Sequence, residues 1–193
     1  ALIELASDWP KVPVRIHAFM DGRDTAPDSG IRHLDSLERT VANSRVEDIA
    51  IASVSGRYYA MDRDHRWERT RKAFDVVTGT GGESVPSARD AIEASYAAGV
   101  TDEFVEPVRI GTWGTGNERM APGDEAIFFN FRSDRARQLT QALTLHEFVG
   151  FDRSRAPGVP IAMTTMTRYE AGLPVHVAYA PTDVTNPIAR VIS

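Results

Sequence analysis

The strongest constraint on the fold is a unit that recurs along the chain: a short apolar run, an arginine-bearing turn and a helical pattern. Residues 49–54 form one such run, which Gly56 ends and Arg57 follows. Short apolar runs bounded by turn residues are typical of buried strands, and strands that alternate with amphipathic helices indicate an α/β fold. We therefore predict a three-layer α/β domain with a mainly parallel sheet and helices on both faces.

Two further runs of the same kind flank the first along the chain. Residues 12–20 alternate apolar and polar side chains, as strands do, and a glycine-containing turn then presents Arg23. Residues 126–131 are almost continuously apolar, as in a strand buried on both faces, and Arg132 follows them. We expect Arg23, Arg57 and Arg132 to lie at the same edge of one sheet.

The remaining segments carry weaker signals. Residues 78–84 are rich in glycine, but no strand precedes them and no lysine follows, so the P-loop pattern fails and we interpret them as a flexible loop. Residues 101–110 are expected to be extended, and residues 159–165 and 175–179 to form two more strands. Residues 181–193 are interpreted as an exit segment.

The arginines at these strand ends suggest an anionic ligand. In an open α/β sheet, ligands bind in the crevice outside the carboxyl ends of the strands, and arginine can grip a carboxylate or phosphate through two parallel hydrogen bonds. Arg135 lies in the first turn of the predicted helix after Arg132, where a cation opposes the helix dipole unless an anion is present. The alternative is that these arginines form ordinary surface ion pairs, and the residues leave both interpretations open.

Composition argues against several classes of function. The net charge of −5 opposes a broad nucleic-acid surface, which needs a basic face. No apolar run approaches the roughly 20 residues of a membrane span, and the N-terminus lacks the features of a signal peptide. The chain has no cysteine, and its five histidines do not have metal-ligand spacing. We expect a cytoplasmic protein that binds no nucleic acid, no membrane and no metal of its own.

The chain also lacks signs of a complete catalytic machine. It contains no Gly-x-Ser-x-Gly nucleophile elbow, and several arginines with few candidate nucleophiles indicate a substrate clamp. Residues 1–6 look like the end of a helix already under way, and the chain does not begin with methionine. We therefore expect an excised domain.

Three long motifs resemble cofactor-independent phosphoglycerate mutase. They are HAFMDGRDT at residues 17–25, SGRYYAMDRD at residues 55–64 and FFNFRSDR at residues 128–135, and TDEF at residues 101–104 fits as well. The resemblance covers essentially the whole chain, and the motifs occur in the family's order.

The resemblance implies a division of labour. The family has a phosphatase-like domain of the alkaline phosphatase superfamily, with two Mn²⁺ ions and a transiently phosphorylated serine, into which a substrate-binding domain is inserted. Residues 1–193 are similar to that inserted domain alone. The implied activity is interconversion of 3- and 2-phosphoglycerate in glycolysis and gluconeogenesis. The chain by itself is expected to be an inactive monomer without catalytic or metal-binding residues, whose partners are phosphoglycerate and its own phosphatase-like domain.

The resemblance also implies the substrate-binding residues. We expect six side chains to converge on phosphoglycerate, with Asp24 accepting a hydrogen bond from the free hydroxyl; the six are Arg23, Asp24, Arg57, Arg63, Arg132 and Arg135. Arg39 and Arg153 are expected to be surface residues of no functional importance. The alternative function is a stand-alone anion-binding or interaction module without catalysis.

Overall fold

The fold is α/β, with strands and helices alternating along most of the chain. The computed structural model describes residues 1–180. The helices are α1 (Leu2–Ala6), α2 (Gly30–Ala42), α3 (Arg57–Ala60), α4 (Trp67–Thr78), α5 (Ala88–Ala97) and α6 (Ser133–Thr144), with a 3₁₀ turn at Asp102–Phe104. The strands are β1 (Val14–Met20), β2 (Ile49–Gly56), β3 (Glu83–Val85), β4 (Val108–Ile110), β5 (Glu125–Phe128), β6 (Ala162–Thr165) and β7 (His176–Val177).

The first sheet has four strands in the order β1-β2-β4-β3. Strands β1 and β2 are parallel, and their register ends on the pair Met20 and Gly56. The carboxyl ends of both strands therefore lie side by side, so that the chain leaves each of them at the same edge. Strand β3 is parallel to β4, whereas β4 is antiparallel to β2.

The direction of β4 has a simple cause. The 3₁₀ turn crosses the carboxyl ends of β1 and β2, and the amide of Gly56 donates to the carbonyl of Val105 at 2.7 Å. The chain therefore enters β4 from the edge at which β2 ends, and it must run back along β2 in the opposite direction.

The second sheet has three parallel strands in the order β5-β6-β7. The prediction of a single sheet was therefore too simple: the described residues form one mixed sheet and one parallel sheet. The two sheets approach each other at their edge strands, where the rings of Phe19 in β1 and Phe128 in β5 pack edge to face with centroids 5.8 Å apart.

Strand β1 contributes to two hydrophobic cores. Ala18 and Met20 pack into one core with Leu34 of α2 and Ile92 of α5. Phe19, which points to the other face because strand side chains alternate, packs against a core that includes Phe74. That second core includes buried residues of α4 and α6, so helices pack on both faces of the strands that lead to the site.

Two predictions about local structure were wrong. Residues 126–131 are not a strand buried on both faces, because β5 ends at Phe128 and Ile127, Phe129 and Phe131 are 56%, 65% and 65% exposed. Strand β5 half-buries only its alternate side chains, Ala126 and Phe128, because the described residues cover one of its faces and not the other. Residues 78–84 are not wholly loop, since β3 begins at Glu83, where it pairs with β4.

The remaining segments differ little from the structure that the sequence predicts. The 101–110 segment holds the 3₁₀ turn and β4 in place of one extended stretch. No helix in the described residues is long and apolar enough to cross a membrane. The predicted exit segment, residues 181–193, lies outside the described residues.

Candidate functional site

Arg57 lies at the junction of β2 and α3 and is almost completely buried, with 4% exposure. Its Nη1 donates to Oδ2 of Asp24 at 2.8 Å and also to Oδ1 of Asp21. Both carboxylates come from the turn after β1, which the register of β1 and β2 brings alongside α3. The turn predicted at Arg57 is instead a one-turn helix, of which Arg57 is the first residue. The effect is to hold its guanidinium against the neighbouring turn.

Two glycines let the strand ends come together. A Cβ on Gly22 would lie 2.6 Å from the backbone nitrogen of Glu103, and Gly22 has a φ of +64°. A Cβ on Gly56 would lie 2.3 Å from the carbonyl oxygen of Glu103. Residues 102–105 therefore pack directly on the backbone that precedes both Arg23 and Arg57, and a side chain at either glycine would push this segment away.

The two tyrosines after Arg57 anchor α3. The guanidinium of Arg69 lies over the ring of Tyr58, 3.8 Å from its centroid, and the hydroxyl of Tyr59 donates to Glu106. Lys72 also pairs with Glu106, at 3.0 Å. These contacts tie α3 to α4 and to the segment before β4. The tyrosines therefore hold in place the short helix that begins with Arg57.

Arg132 and Arg63 share the carboxylate of Asp134. Arg132 donates from Nε to Oδ1 at 2.7 Å and from Nη2 to Oδ2 at 3.3 Å, while Nη1 of Arg63 donates to Oδ2 at 2.7 Å. The hydrogen bonds from Arg132, together with those from Arg63, lower the pKa of Asp134 to about 2. Asp134 is therefore ionised at neutral pH and couples two arginines that come from different loops.

Arg135 is the least satisfied cation of the group. Among the described residues its only hydrogen bond runs from Nη1 to the carbonyl of Met61 at 3.5 Å, and its buried Nε has no partner. Burial lowers the pKa of Arg135, and so do the positive charges of four arginines nearby; these are Arg57, Arg63, Arg23 and Arg132. A guanidinium held among like charges without a carboxylate is an unfavourable arrangement unless an anion joins it.

Arg23 and Asp24 complete the set. Arg23 is exposed, and its Nη1 lies 3.6 Å from Oε1 of Glu103. The hydrogen bond and charge of Arg57 lower the pKa of Asp24, with smaller contributions from Arg132 and Arg23. The six predicted residues thus lie in one cluster, which we call the arginine cluster. Whether they bind a ligand remains a prediction.

Sequence reasoning missed the residues that support this cluster. Asp21 and Asp134 lie inside the quoted motifs and next to predicted arginines, so their charge was a usable signal. Asp62 and Gln138 are 5% and 3% exposed and hydrogen bonded to each other at 2.9 Å, although they lie 76 residues apart. No local pattern connects them.

The search for a metal site gives a negative result: within residues 1–180 no group of three or more potential ligands is arranged to hold an ion.

Comparison with known proteins gives a consistent result. The family described as BPG-independent PGAM N-terminus matches residues 1–171. The 2,3-bisphosphoglycerate-independent phosphoglycerate mutase of Thermomicrobium roseum is 51% identical over 100% of this chain and 37% of its own length. The corresponding protein of Nostoc punctiforme is 45% identical over 100% of this chain and 34% of its own length.

A solved structure agrees with these relatives. Leishmania mexicana phosphoglycerate mutase superposes with a TM-score of 0.85 at 30% identity, over 95% of this chain and 35% of that protein. The chain thus spans about a third of the length of the proteins it matches. The resemblance that the three motifs predicted is confirmed, and the chain belongs to the 2,3-bisphosphoglycerate-independent phosphoglycerate mutase family.

Proposed function

We propose that this chain is the substrate-binding part of a phosphoglycerate mutase and that its arginine cluster holds 3- and 2-phosphoglycerate. The observation that carries the proposal is Arg135, a half-buried guanidinium that lies among four other arginines and has no carboxylate partner in the described residues. Phosphoglycerate is a small polyanion with a phosphate at one position and a carboxylate at another. Several arginines around one space match that charge distribution.

The carboxylates of the cluster do not use all the hydrogen-bond donors of its arginines. Asp134 occupies Nε and Nη2 of Arg132 and Nη1 of Arg63. Since arginine has five N–H donors, both side chains keep further donors that can turn to an incoming phosphate or carboxylate. Asp134 therefore orients the two guanidinium groups, and the ligand would bind to the donors that remain.

Asp24 has a different role in this proposal. Its carboxylate accepts a hydrogen bond from Arg57 at 2.8 Å, and the lowered pKa keeps it ionised at neutral pH. An ionised carboxylate is an acceptor only. It would accept a hydrogen bond from the free hydroxyl of the glycerate while the arginines hold the anionic groups.

The chemical step belongs to the part of the family's proteins that this chain does not match. There, two Mn²⁺ ions and a serine would carry the phosphoryl group, and the described residues offer no cluster that fits those ions. The role of this chain is to bind glycerate, let it turn, and help exclude water as the two parts close. We expect the 193-residue chain alone, a cytoplasmic monomer, not to interconvert the two phosphoglycerates with or without Mn²⁺.

Isothermal titration of the 193-residue chain with 3-phosphoglycerate tests the proposal. We expect binding that Arg135→Met weakens by about 10- to 150-fold, because a charge-assisted hydrogen bond contributes about 1.5–3 kcal/mol. Arg39→Met, which removes an exposed arginine from α2, is the control and should leave the affinity unchanged. Equal effects of the two variants, or no binding by the wild-type chain, would overturn the proposal.

The second candidate function is a stand-alone anion-binding module. The exposed edges of the cluster at Arg23 and Arg132 favour it, because they are open to any anion. The same titration with inorganic sulfate and with glycerate separates the two functions. A substrate site should prefer 3-phosphoglycerate to both, whereas a general anion site would bind sulfate equally well. The reading frame that encodes the chain gives an independent answer, since the mutase requires adjacent metal-ligand and serine motifs.

A further inference from the structure

A buried pair, Asp62 and Gln138, connects the loop that carries Arg63 to the helix that carries Arg135. We infer that these two residues are positioning residues of the arginine cluster: they set the separation of Arg63 and Arg135 without reaching the ligand. The inference rests on the proposed function, because it concerns the binding of an anion at that same site.

The loop of residues 61–66 is wrapped around the Asp62 side chain. Oδ2 of Asp62 accepts hydrogen bonds from the backbone amides of Asp64 at 3.1 Å and Arg66 at 3.0 Å. Nη1 of Arg69 lies 3.5 Å from Oδ1 and balances the buried charge. Because both amides bind one carboxylate oxygen, the position of Asp62 determines the path of the backbone that follows it as far as Arg66, including that of Arg63.

Gln138 holds this carboxylate from α6. Its Nε2 donates to Oδ2 of Asp62 at 2.9 Å and to Oγ1 of Thr70 at 3.1 Å, and its Oε1 accepts from the amide of His65 at 2.8 Å. His65 has a φ of +56°, which is uncommon for a residue with a side chain. Such a backbone conformation persists where the surroundings impose it. Here Gln138 holds the amide of His65, while Asp62 holds the amides of Asp64 and Arg66 on either side of it.

The geometry of α6 turns this contact into a link between two arginines. Gln138 follows Arg135 by three residues, so the two side chains lie on the same side of the helix. Nη1 of Arg135 also reaches the carbonyl of Met61, the first residue of the wrapped loop. Moving the loop away from Gln138 would therefore move Arg63 relative to Arg135 while the remaining arginines stay in place.

The decisive variant is Gln138→Met, which keeps the length of the side chain but removes its hydrogen bonds. The matched control is Gln141→Met on the same helix, where Nε2 of Gln141 donates to the exposed carboxylate of Glu170 at 2.8 Å and not to the loop. Affinity for 3-phosphoglycerate is measured by titration on the 193-residue chain, and thermal unfolding is recorded for each variant.

We expect Gln138→Met to weaken binding by about 10-fold or more and Gln141→Met to leave it unchanged. Arg63→Met should weaken binding by about 10-fold in the wild-type background but by less than about 2-fold in the Gln138→Met background, because Arg63 is then already misplaced. If Gln138→Met only lowers the unfolding temperature, with affinity and the effect of Arg63→Met unchanged, the residue is structural and the inference is wrong.

Two further measurements keep the inference testable. If Gln138→Met does not fold, Gln138→Asn, which retains the amide at shorter reach, should still weaken binding, and full affinity in that variant would overturn the inference. If the wild-type chain does not bind 3-phosphoglycerate, the proposed function fails. The NMR resonances of the Nε–H groups of Arg63 and Arg135 then test whether Gln138 positions these two arginines. Both should shift in Gln138→Met and neither in Gln141→Met; the absence of any shift would refute the link.

Discussion

The guanidinium groups of Arg63 and Arg132 meet on a single carboxylate, that of Asp134. Arg132 reaches it with two nitrogens in the side-on geometry that only a planar guanidinium allows. The direction in which Arg132 presents its remaining donors is therefore set by a short, rigid contact within its own turn.

This contact makes Arg132→Lys informative. Lysine keeps the positive charge but cannot form the paired hydrogen bonds with Asp134 or with a ligand. We expect affinity for 3-phosphoglycerate to fall by about 10- to 150-fold, the equivalent of one charge-assisted hydrogen bond. Titration of the 193-residue chain measures it, with Arg39→Lys as control. If the two variants behave alike, Arg132 is an ordinary surface ion pair.

A second prediction concerns Gly56. A Cβ at this position would lie 2.3 Å from the Glu103 carbonyl oxygen and 2.7 Å from the Val105 nitrogen. Since both contacts are with backbone, Gly56→Ala should lower the free energy of unfolding by about 1–3 kcal/mol. It should also weaken anion binding, because Arg57 is the next residue. Urea unfolding and titration of the same sample measure the two effects.

Gly116→Ala is the control for that change. Gly116 has a φ of +53° but no atom within 4 Å of a built Cβ, so its substitution by alanine introduces backbone strain without a collision. We expect a loss of about 1 kcal/mol and unchanged affinity. Equal effects on affinity from both variants would mean that the approach of residues 102–105 to Gly56 does not position Arg57.

A third prediction follows from His17 in β1. Its ring packs edge to face on Trp113, with centroids 5.6 Å apart, and Nδ1 lies 2.8 Å from Oγ of Ser53. Burial lowers the pKa of His17 to about 4. Below pH 6.5 the unfolded chain therefore takes up a proton that the folded chain does not bind, so stability falls as the pH decreases from about 6.5 to about 4.

The expected loss from this histidine between pH 7.5 and pH 5 is about 2 kcal/mol. Urea unfolding at the two pH values measures it, with His17→Asn as the comparison because asparagine does not titrate. The wild-type chain should lose more stability than the variant over this interval. An identical loss in both proteins would show that other groups account for the pH dependence.

A fourth prediction concerns Arg153, which the structure places differently from a surface residue. It is half-buried and closes the end of α6, donating to the carbonyls of Ala142 and Leu145 at 2.8 Å and of His146 at 3.1 Å. Cations stabilise the carboxyl ends of helices in this way. Arg153→Met should lower the free energy of unfolding by about 1.5–3 kcal/mol.

The same variant should leave anion affinity unchanged, because Arg153 lies at the opposite end of α6 from Arg135. Arg39→Met, in which an exposed arginine is removed, should change stability by no more than about 0.5 kcal/mol. Denaturant unfolding distinguishes the two arginines. A stability loss below that of the control would mean that water replaces Arg153 at the helix end without penalty.

The parts of this fold that follow local rules could be predicted from the sequence. The apolar run before Arg57 ends in a glycine, and the alternation before Arg23 ends in a turn, so both strand ends were placed within about two residues of their observed positions. The ends of parallel strands lie at one edge, which is why Arg23 and Arg57 could be placed together before any contact was known. Arg132 follows β5 of the second sheet, so the expectation that all three arginines share one sheet edge was wrong. The full set of six came from the resemblance.

The remainder depends on contacts between distant residues. The direction of β4 depends on where residues 102–105 cross the strand ends. The residue types in β4 itself do not indicate whether the strand is parallel or antiparallel to β2. The exposure of Phe129 and Phe131, which follow the end of β5, depends on which face of the second sheet the described residues cover, whereas their apolar character suggested a core position. The link between Asp62 and Gln138 joins a loop to helix α6, and only the folded chain brings the two together.

The approach of residues 102–105 to Gly22 and Gly56 has a consequence for how the length of this chain can vary. One peptide segment acts as a spacer beneath two arginines of the cluster, so an inserted or deleted residue there would displace both Arg23 and Arg57. The loop of residues 111–124 lies at the other end of β1, where Glu118 pairs with Arg15 at 3.3 Å. Natural differences in length should therefore accumulate at the exposed tip of that loop, residues 115–119, and spare the spacer.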